Sequence, residues 1–113
     1  MDNNKIYSLL GLCAKAGKLK SGEFAVEQAI KKGEARLVIV SNDASDNTKK
    51  KFHDKCDFYK VQMLSFGDKD SLGHAVGKDV RTSMAVTDDG LAKTLAKNLL
   101  SEEQDGGNVN VKN

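Results

Sequence analysis

Apolar positions along this chain recur first at helical spacing, then in short unbroken runs, and the two patterns alternate. Ile6, Leu9, Leu10 and Cys13 fall at i, i+3, i+4 and i+7, which predicts a helix over residues 4–16 with Gly17 as its stop. A short linking piece, Lys18 to Lys20, follows. Ser21 is placed to cap a second helix that ends at Gly33, with Val26, Ala29 and Ile30 as its inward stripe. At about 100° per residue, Phe24 points away from that stripe, with Gln28 and Lys31 on the same outward side. Residues 36–41, RLVIVS, form a nearly continuous β-branched run, the mark of a strand covered on both faces. Asn42 to Asn47 is turn chemistry, and Ser45 or Asn47 can cap a lysine-rich helix over about residues 48–56. A second strand lies within Phe58 to Phe66. Asp68 can cap a short helix through Val76, in which Gly73 and Gly77 allow a close backbone approach or a stop. Thr82 to Thr87 is a third buried strand. Thr87 or Asp88 opens a last helix, whose inner face is Leu91, Leu95 and Leu99 or Ala92, Ala96 and Leu99.

Strands that alternate with helices predict an α/β fold, a single α-β-α sandwich around a small, mostly parallel or mixed sheet. The chain has 113 residues, which suits one domain over 1–100 that buries a core without disulfides or metal. The segment 101–113, SEEQDGGNVNVKN, has no apolar periodicity and is expected to be a disordered acidic tail.

Charge adds a location. The net charge is only +2, but residues 1–100 hold 17 basic and 13 acidic groups, and Lys15, Lys18, Lys20, Lys31, Lys32 and Arg36 crowd into one stretch. Such a patch suggests a polyanion partner met at one site; a solvated helix face is the plainer alternative. No apolar run approaches the roughly 18 residues that a membrane span needs, and the N-terminus lacks the basic start of a secretory signal. A cytoplasmic monomer with no membrane partner is expected. Cys13 and Cys56 belong to no CxxC pair and have no His at zinc-ligand spacing, so both read as buried core thiols.

Three constellations carry candidate chemistry. At the start of the second helix, the N–H groups of Gly22, Glu23 and Phe24 are expected to be free and to make an anion site. Lys18, Lys20, Lys31 and Lys32 add attraction, and Phe24 either stacks on an unpaired base or packs on a neighbour. The second is the strand-to-helix loop from Phe66, with Lys69 at its tip and Leu72 and Gly73 in the helix behind it. The third is Asp43, Asp88 and Asp89, each just after a strand, where three carboxylates could hold Mg²⁺ or simply cap helices. His53 and His74 have no partner at a telling spacing. No P-loop, nucleophile elbow or Ser-His-Asp pattern is present, so no catalytic residue, metal ligand or cofactor is assigned.

The stretch LLGLCAKAGKLKSGEFAVEQAIKKGEARLVIVSNDASDNTKKKFHDKC, followed by YKV and SLGHAVGK, resembles the bacterial YlxQ-type branch of the kink-turn RNA-binding ribosomal protein superfamily. The likeness spans Leu9 to about Leu99. It implies a three-layer sandwich with a four-stranded mixed sheet, and RNA gripped by the second helix's N-terminus and the loop before the LG helix. Carried over without a gap from AIKKGEARLVIV, the family's helix glycine falls on Gly22. Its asparagine, glutamate and lysine positions fall on Phe24, Ala25 and Gln28, which bear neither carboxylate nor ammonium. A basic loop position falls on Lys69 and the LG pair on Leu72 and Gly73. The resulting expectation is a non-enzymatic, translation-associated protein that binds structured RNA, possibly ribosomal, through Lys18, Lys20, Ser21, Gly22, Glu23, Phe24, Gln28, Lys31, Lys32, Lys69, Leu72 and Gly73. The alternative is a protein–protein adaptor on the ribosome or a maturation particle, contacting ribosomal proteins.

Overall fold

Each of the two central strands is buried at every position, and that is what organises the molecule. The computed structural model describes residues 3–107, with side chains through Ser101. Its elements in chain order are α1 (Asn3–Lys15), β1 (Leu19–Ser21), α2 (Glu23–Lys31), β2 (Leu37–Val40), α3 (Asp46–Tyr59), β3 (Gln62–Ser65), α4 (Lys69–Ala75), β4 (Ser83–Val86) and α5 (Asp89–Gly107). The sheet order is β1-β4-β2-β3. β2 runs parallel to β3 and antiparallel to β4, and β1 is antiparallel to β4, so the sheet is mixed.

Every residue of β2 and β4 is buried because helices cover both faces. On one face Ile6, Leu10 and Cys13 of α1, Leu72 of α4 and Ala92, Leu95 and Leu99 of α5 pack on Leu37, Ile39, Met84 and Val86. On the other, Val26, Ala29 and Ile30 of α2 and Phe52 and Cys56 of α3 pack on Val38, Val40 and Ala85. The predicted α-β-α sandwich is therefore present. The last helix buries 92, 95 and 99, a stripe drawn from both predicted faces.

The edges of the sheet depart from expectation. Lys18 to Lys20 is not a mere link: Leu19–Ser21 pairs with Met84–Val86 as the fourth strand. Three residues with two polar side chains carry no readable alternation; only pairing to β4 makes them a strand. Ser21 consequently ends β1, and Gly22, not Ser21, is the N-cap of α2. α3 starts from Ser45 and runs on to Tyr59, beyond the expected end at Cys56. Lys60, in the left-handed region at φ 61°, stops it, and β3 follows at Gln62–Ser65, within Phe58–Phe66 as expected. The expected disordered tail begins at Ser101, whereas the α5 backbone continues to Gly107; residues 108–113 lie outside the described residues.

Candidate nucleic-acid interface

At one end of the sheet three strands run directly into helices: α2 follows β1, α3 follows β2 and α4 follows β3. Each N-terminus leaves backbone N–H groups without intrahelical acceptors and carries partial positive charge. Two are closed by side chains. Ser45 Oγ accepts from the Thr48 N–H at 3.1 Å, and Asp68 Oδ1 accepts from the Ser71 N–H at 2.7 Å. That backbone bond, joined by one from the Ser71 hydroxyl, holds the Asp68 carboxyl below its ordinary range.

The start of α2 is different. Gly22 has no side chain to cap it and sits at φ 95°, ψ 150°, a conformation open essentially to glycine. Its own N–H is not free as expected. It donates to the Ser83 carbonyl at 3.1 Å, because the β1–β4 pairing runs one residue past Ser21. The first-turn donors left are the N–H groups of Glu23, Phe24 and Ala25, since the bond from Val26 N–H to the Gly22 carbonyl begins the helix. Phe24 projects outward and is 75% exposed, as its helical angle predicts. Gln28 is half-buried one turn further on. Glu23 turns aside toward α3, accepting from Thr48 Oγ1 at 3.2 Å and pairing with Lys51 at 3.3 Å. Lys51 also pairs with Glu27 at 2.7 Å, a bond that lowers the Glu27 pKa and raises that of Lys51. The carboxylate nearest the open N-terminus is therefore already matched by a cation.

The second half of the surface stands beside it. The Lys69 N–H donates to Asp43 Oδ1 at 3.0 Å, which fixes the loop on the turn after β2, and the Lys69 side chain is exposed. Leu72 and Gly73, expected as contacts, are buried. Leu72 belongs to the core. A Cβ on Gly73 would overlap the Asp79 carbonyl oxygen and lie 3.3 Å from the Arg81 nitrogen. Both residues thus shape the loop from behind. Arg81 joins the two halves: its N–H donates to the Lys69 carbonyl at 3.0 Å, and its Nε–H donates to Ser21 Oγ at 3.2 Å. The sequence reading passed over Arg81. Its one local signal, a lone basic residue just before a buried strand, says nothing about a partner sixty positions away.

The lysines do not all gather at this end. Lys18 precedes β1 at the far end of the sheet, where its carbonyl accepts from Thr87 N–H. Lys20 projects from mid-strand into a recess of about 370 Å³ with Gly17, Gly33, Glu34, Arg36 and Thr87. Lys31 lies in the last turn of α2, about 12 Å along the axis from Glu23. There it and Lys32 face the helix's negative end, which they complement. The basic patch read from the sequence therefore splits between two ends of the domain, because a helix and a strand separate residues that are close in the chain.

The acidic triplet also separates. Asp43 follows β2 and Asp88 follows β4, and these strands are antiparallel, so the residues sit at opposite ends of the sheet. Asp88 caps α5 through the Leu91 N–H at 2.9 Å, Asp89 pairs with Arg36 at 3.1 Å, and Asp43 holds Lys69. No three potential metal-binding side chains come together among the described residues. Cys13 and Cys56 are buried thiols, the latter pushed up to about 11 by burial. His74 is exposed, and His53 faces Asp54 at 3.6 Å. No helix among the described residues is long and apolar enough to cross a membrane.

Known proteins share the sequence pattern and the fold. The sequence profile of the ribosomal protein L7Ae/L30e/S12e/Gadd45 family matches residues 4–96. An RNA-binding protein YlxQ of Bacillus subtilis is 42% identical over 95 residues, which cover 84% of this chain and 95% of that protein. The large ribosomal subunit protein eL8 of Cenarchaeum symbiosum is 26% identical over 87% of this chain and 79% of its own length. A solved structure from Bacillus halodurans, of unknown function, superposes with a TM-score of 0.79 at 43% identity, covering 82% of this chain and 94% of that one.

Proposed function

The chain belongs to the ribosomal protein L7Ae/L30e/S12e/Gadd45 family, and from that premise we propose that it is a non-enzymatic protein that binds structured RNA. The RNA is a sharply bent, kink-turn-like element, and the setting is the ribosome or another part of the translation apparatus. The observation that carries this reading is the uncapped first turn of α2, which lacks the side-chain caps that close α3 and α4, flanked by Lys69 and Arg81. Backbone donors there suit a phosphate, and Phe24 is free to stack on a base displaced from the helix. Two loops standing side by side suit a backbone that changes direction better than a straight duplex. Gly22, Phe24, Gln28 and Lys69 form the contact set, and Ser21, held by Arg81, positions them. Lys18, Lys20, Lys31 and Lys32 act at longer range on flanking phosphates. Glu23, Leu72 and Gly73 position these groups.

The test is a titration of a kink-turn oligonucleotide against a straight duplex of equal length, at several salt concentrations. The expected result is submicromolar binding to the bent RNA, weaker binding to the duplex, and loss of both as salt rises. Phe24→Ala should weaken the bent RNA selectively, by about 1–3 kcal/mol, with an unchanged melting temperature because the ring is exposed. Equal affinity for the two RNAs removes the shape-reading part. The adaptor reading draws on the exposure of Phe24 and Phe58, each 75% accessible. It predicts ribosomal-protein binding that survives nuclease and falls with Phe24→Ala.

A further inference from the structure

The two halves of the proposed RNA surface leave the sheet from opposite edges. α2 follows β1 at one edge and α4 follows β3 at the other, with β4 and β2 between them. At about 4.8 Å per strand, those edges are about 14 Å apart. β1 pairs with its neighbour over only three residues, so the edge that carries α2 has the shortest ladder of the sheet. A surface that recognises a bend needs its two contact points at a fixed separation.

Arg81 occupies the gap, immediately before β4. Its backbone N–H donates to the Lys69 carbonyl at 3.0 Å, and its Nε–H donates to Ser21 Oγ at 3.2 Å. Its Nη1–H donates to the Val80 carbonyl at 2.8 Å, which locks the side chain in place. No carboxylate pairs with it among the described residues, whereas Lys50 and Lys51 of α3 each have one. A half-buried guanidinium spent on two neutral oxygens of its own chain is a poor choice for stability alone. It suits a strut whose planar fork fixes the end of β1 against the segment before β4, which the Arg81 backbone N–H ties in turn to Lys69; an ammonium on a flexible stem cannot set that angle.

We propose that Arg81 is the positioning residue of this surface: it holds the Ser21–Phe24 turn and the Asp68–Lys69 loop at one separation, and thereby sets the preference for bent over straight RNA. The inference rests on the RNA-binding reading above.

The experiment is a double-mutant cycle in the full chain with Ser21→Ala, Arg81→Lys and the pair, measured on the bent RNA and the straight duplex over a range of salt. Each single variant should lose about fivefold on the bent RNA, the scale of one hydrogen bond. Neither should change duplex binding or the salt slope, because the charge is kept. The double variant should lose no more than either single one, since both remove the same link. Thermal melts show that each protein is folded at the assay temperature, and Ser21→Ala carries the test if Arg81→Lys does not fold. Additive losses, or equal losses on both RNAs, overturn the strut. So does an Arg81→Met variant whose salt slope falls by about one on both RNAs, the sign of a direct phosphate contact. A wild-type protein that ignores the bend overturns the RNA reading and this inference together; one that senses it while the variants match it overturns Arg81's role alone.

Discussion

Gly22→Ala isolates the backbone of the proposed interface from its side chains. Gly22 lies at φ 95°, ψ 150°, and a Cβ built there meets nothing nearer than Arg81 Nε at 3.9 Å. The substitution therefore creates no clash and removes no side-chain bond, and its cost is the conformation. Holding an alanine in this region costs about 1–3 kcal/mol. The stiffer unfolded chain returns about 0.4–1 kcal/mol. At mid-range the net loss is about 1 kcal/mol, or roughly 4–8 °C in melting temperature for a domain of this size. The alternative to strain is rotation to negative φ, which pulls the residue's N–H off the Ser83 carbonyl and re-aims the free donors of α2. Urea unfolding monitored by circular dichroism measures the cost, with a constant slope showing that the denatured state is unchanged. The same protein titrated with bent RNA should bind more weakly even where it is fully folded. A midpoint shift worth less than about 0.5 kcal/mol, within the ordinary range for a neutral surface change, together with unchanged RNA affinity, would refute the reasoning.

Gly73→Ala should act through space instead of conformation. The new methyl overlaps the Asp79 carbonyl oxygen, and the 77–81 segment must lift off α4, breaking the bond from Lys78 N–H to the Gly73 carbonyl at 2.8 Å. Overpacking of this kind costs about 1–3 kcal/mol or more, read as a fall in urea midpoint; a midpoint equal to wild type would mean that the loop yields freely. The Glu27–Lys51 pair makes stability depend on pH. Its hydrogen bond lowers the carboxyl pKa from 4.5 and raises the ammonium pKa from 10.5, so its contribution is full between those ordinary values. It is lost as pH falls through the depressed value of Glu27 or rises through the elevated one of Lys51. With the lysine over a third exposed, screening limits it to about 1 kcal/mol or less. Glu27→Gln should flatten the acid limb of the melting-temperature profile, and parallel profiles for the two proteins would contradict the assignment.

The sequence by itself determined the layers. LVIV and MAV are apolar without alternation because both faces of a central strand are covered, and that composition is legible without coordinates. The i, i+3, i+4 stripes of α1 and α2, and the outward direction of Phe24, follow from helical geometry alone. Tertiary structure decided whatever depends on a distant partner. Leu19–Ser21 is a strand because β4 offers its edge, and Gly22 is a cap because that pairing uses up Ser21 and the glycine's own N–H. Lysines adjacent in the chain parted company because α2 carries Lys31 to the far end, while Arg81, sixty residues from Ser21, came to stand against it. Helix and strand periods are local, set by one residue's neighbours along the chain. A surface that must hold two loops apart is fixed by bonds across the sheet, and those have no signature in any short window of sequence.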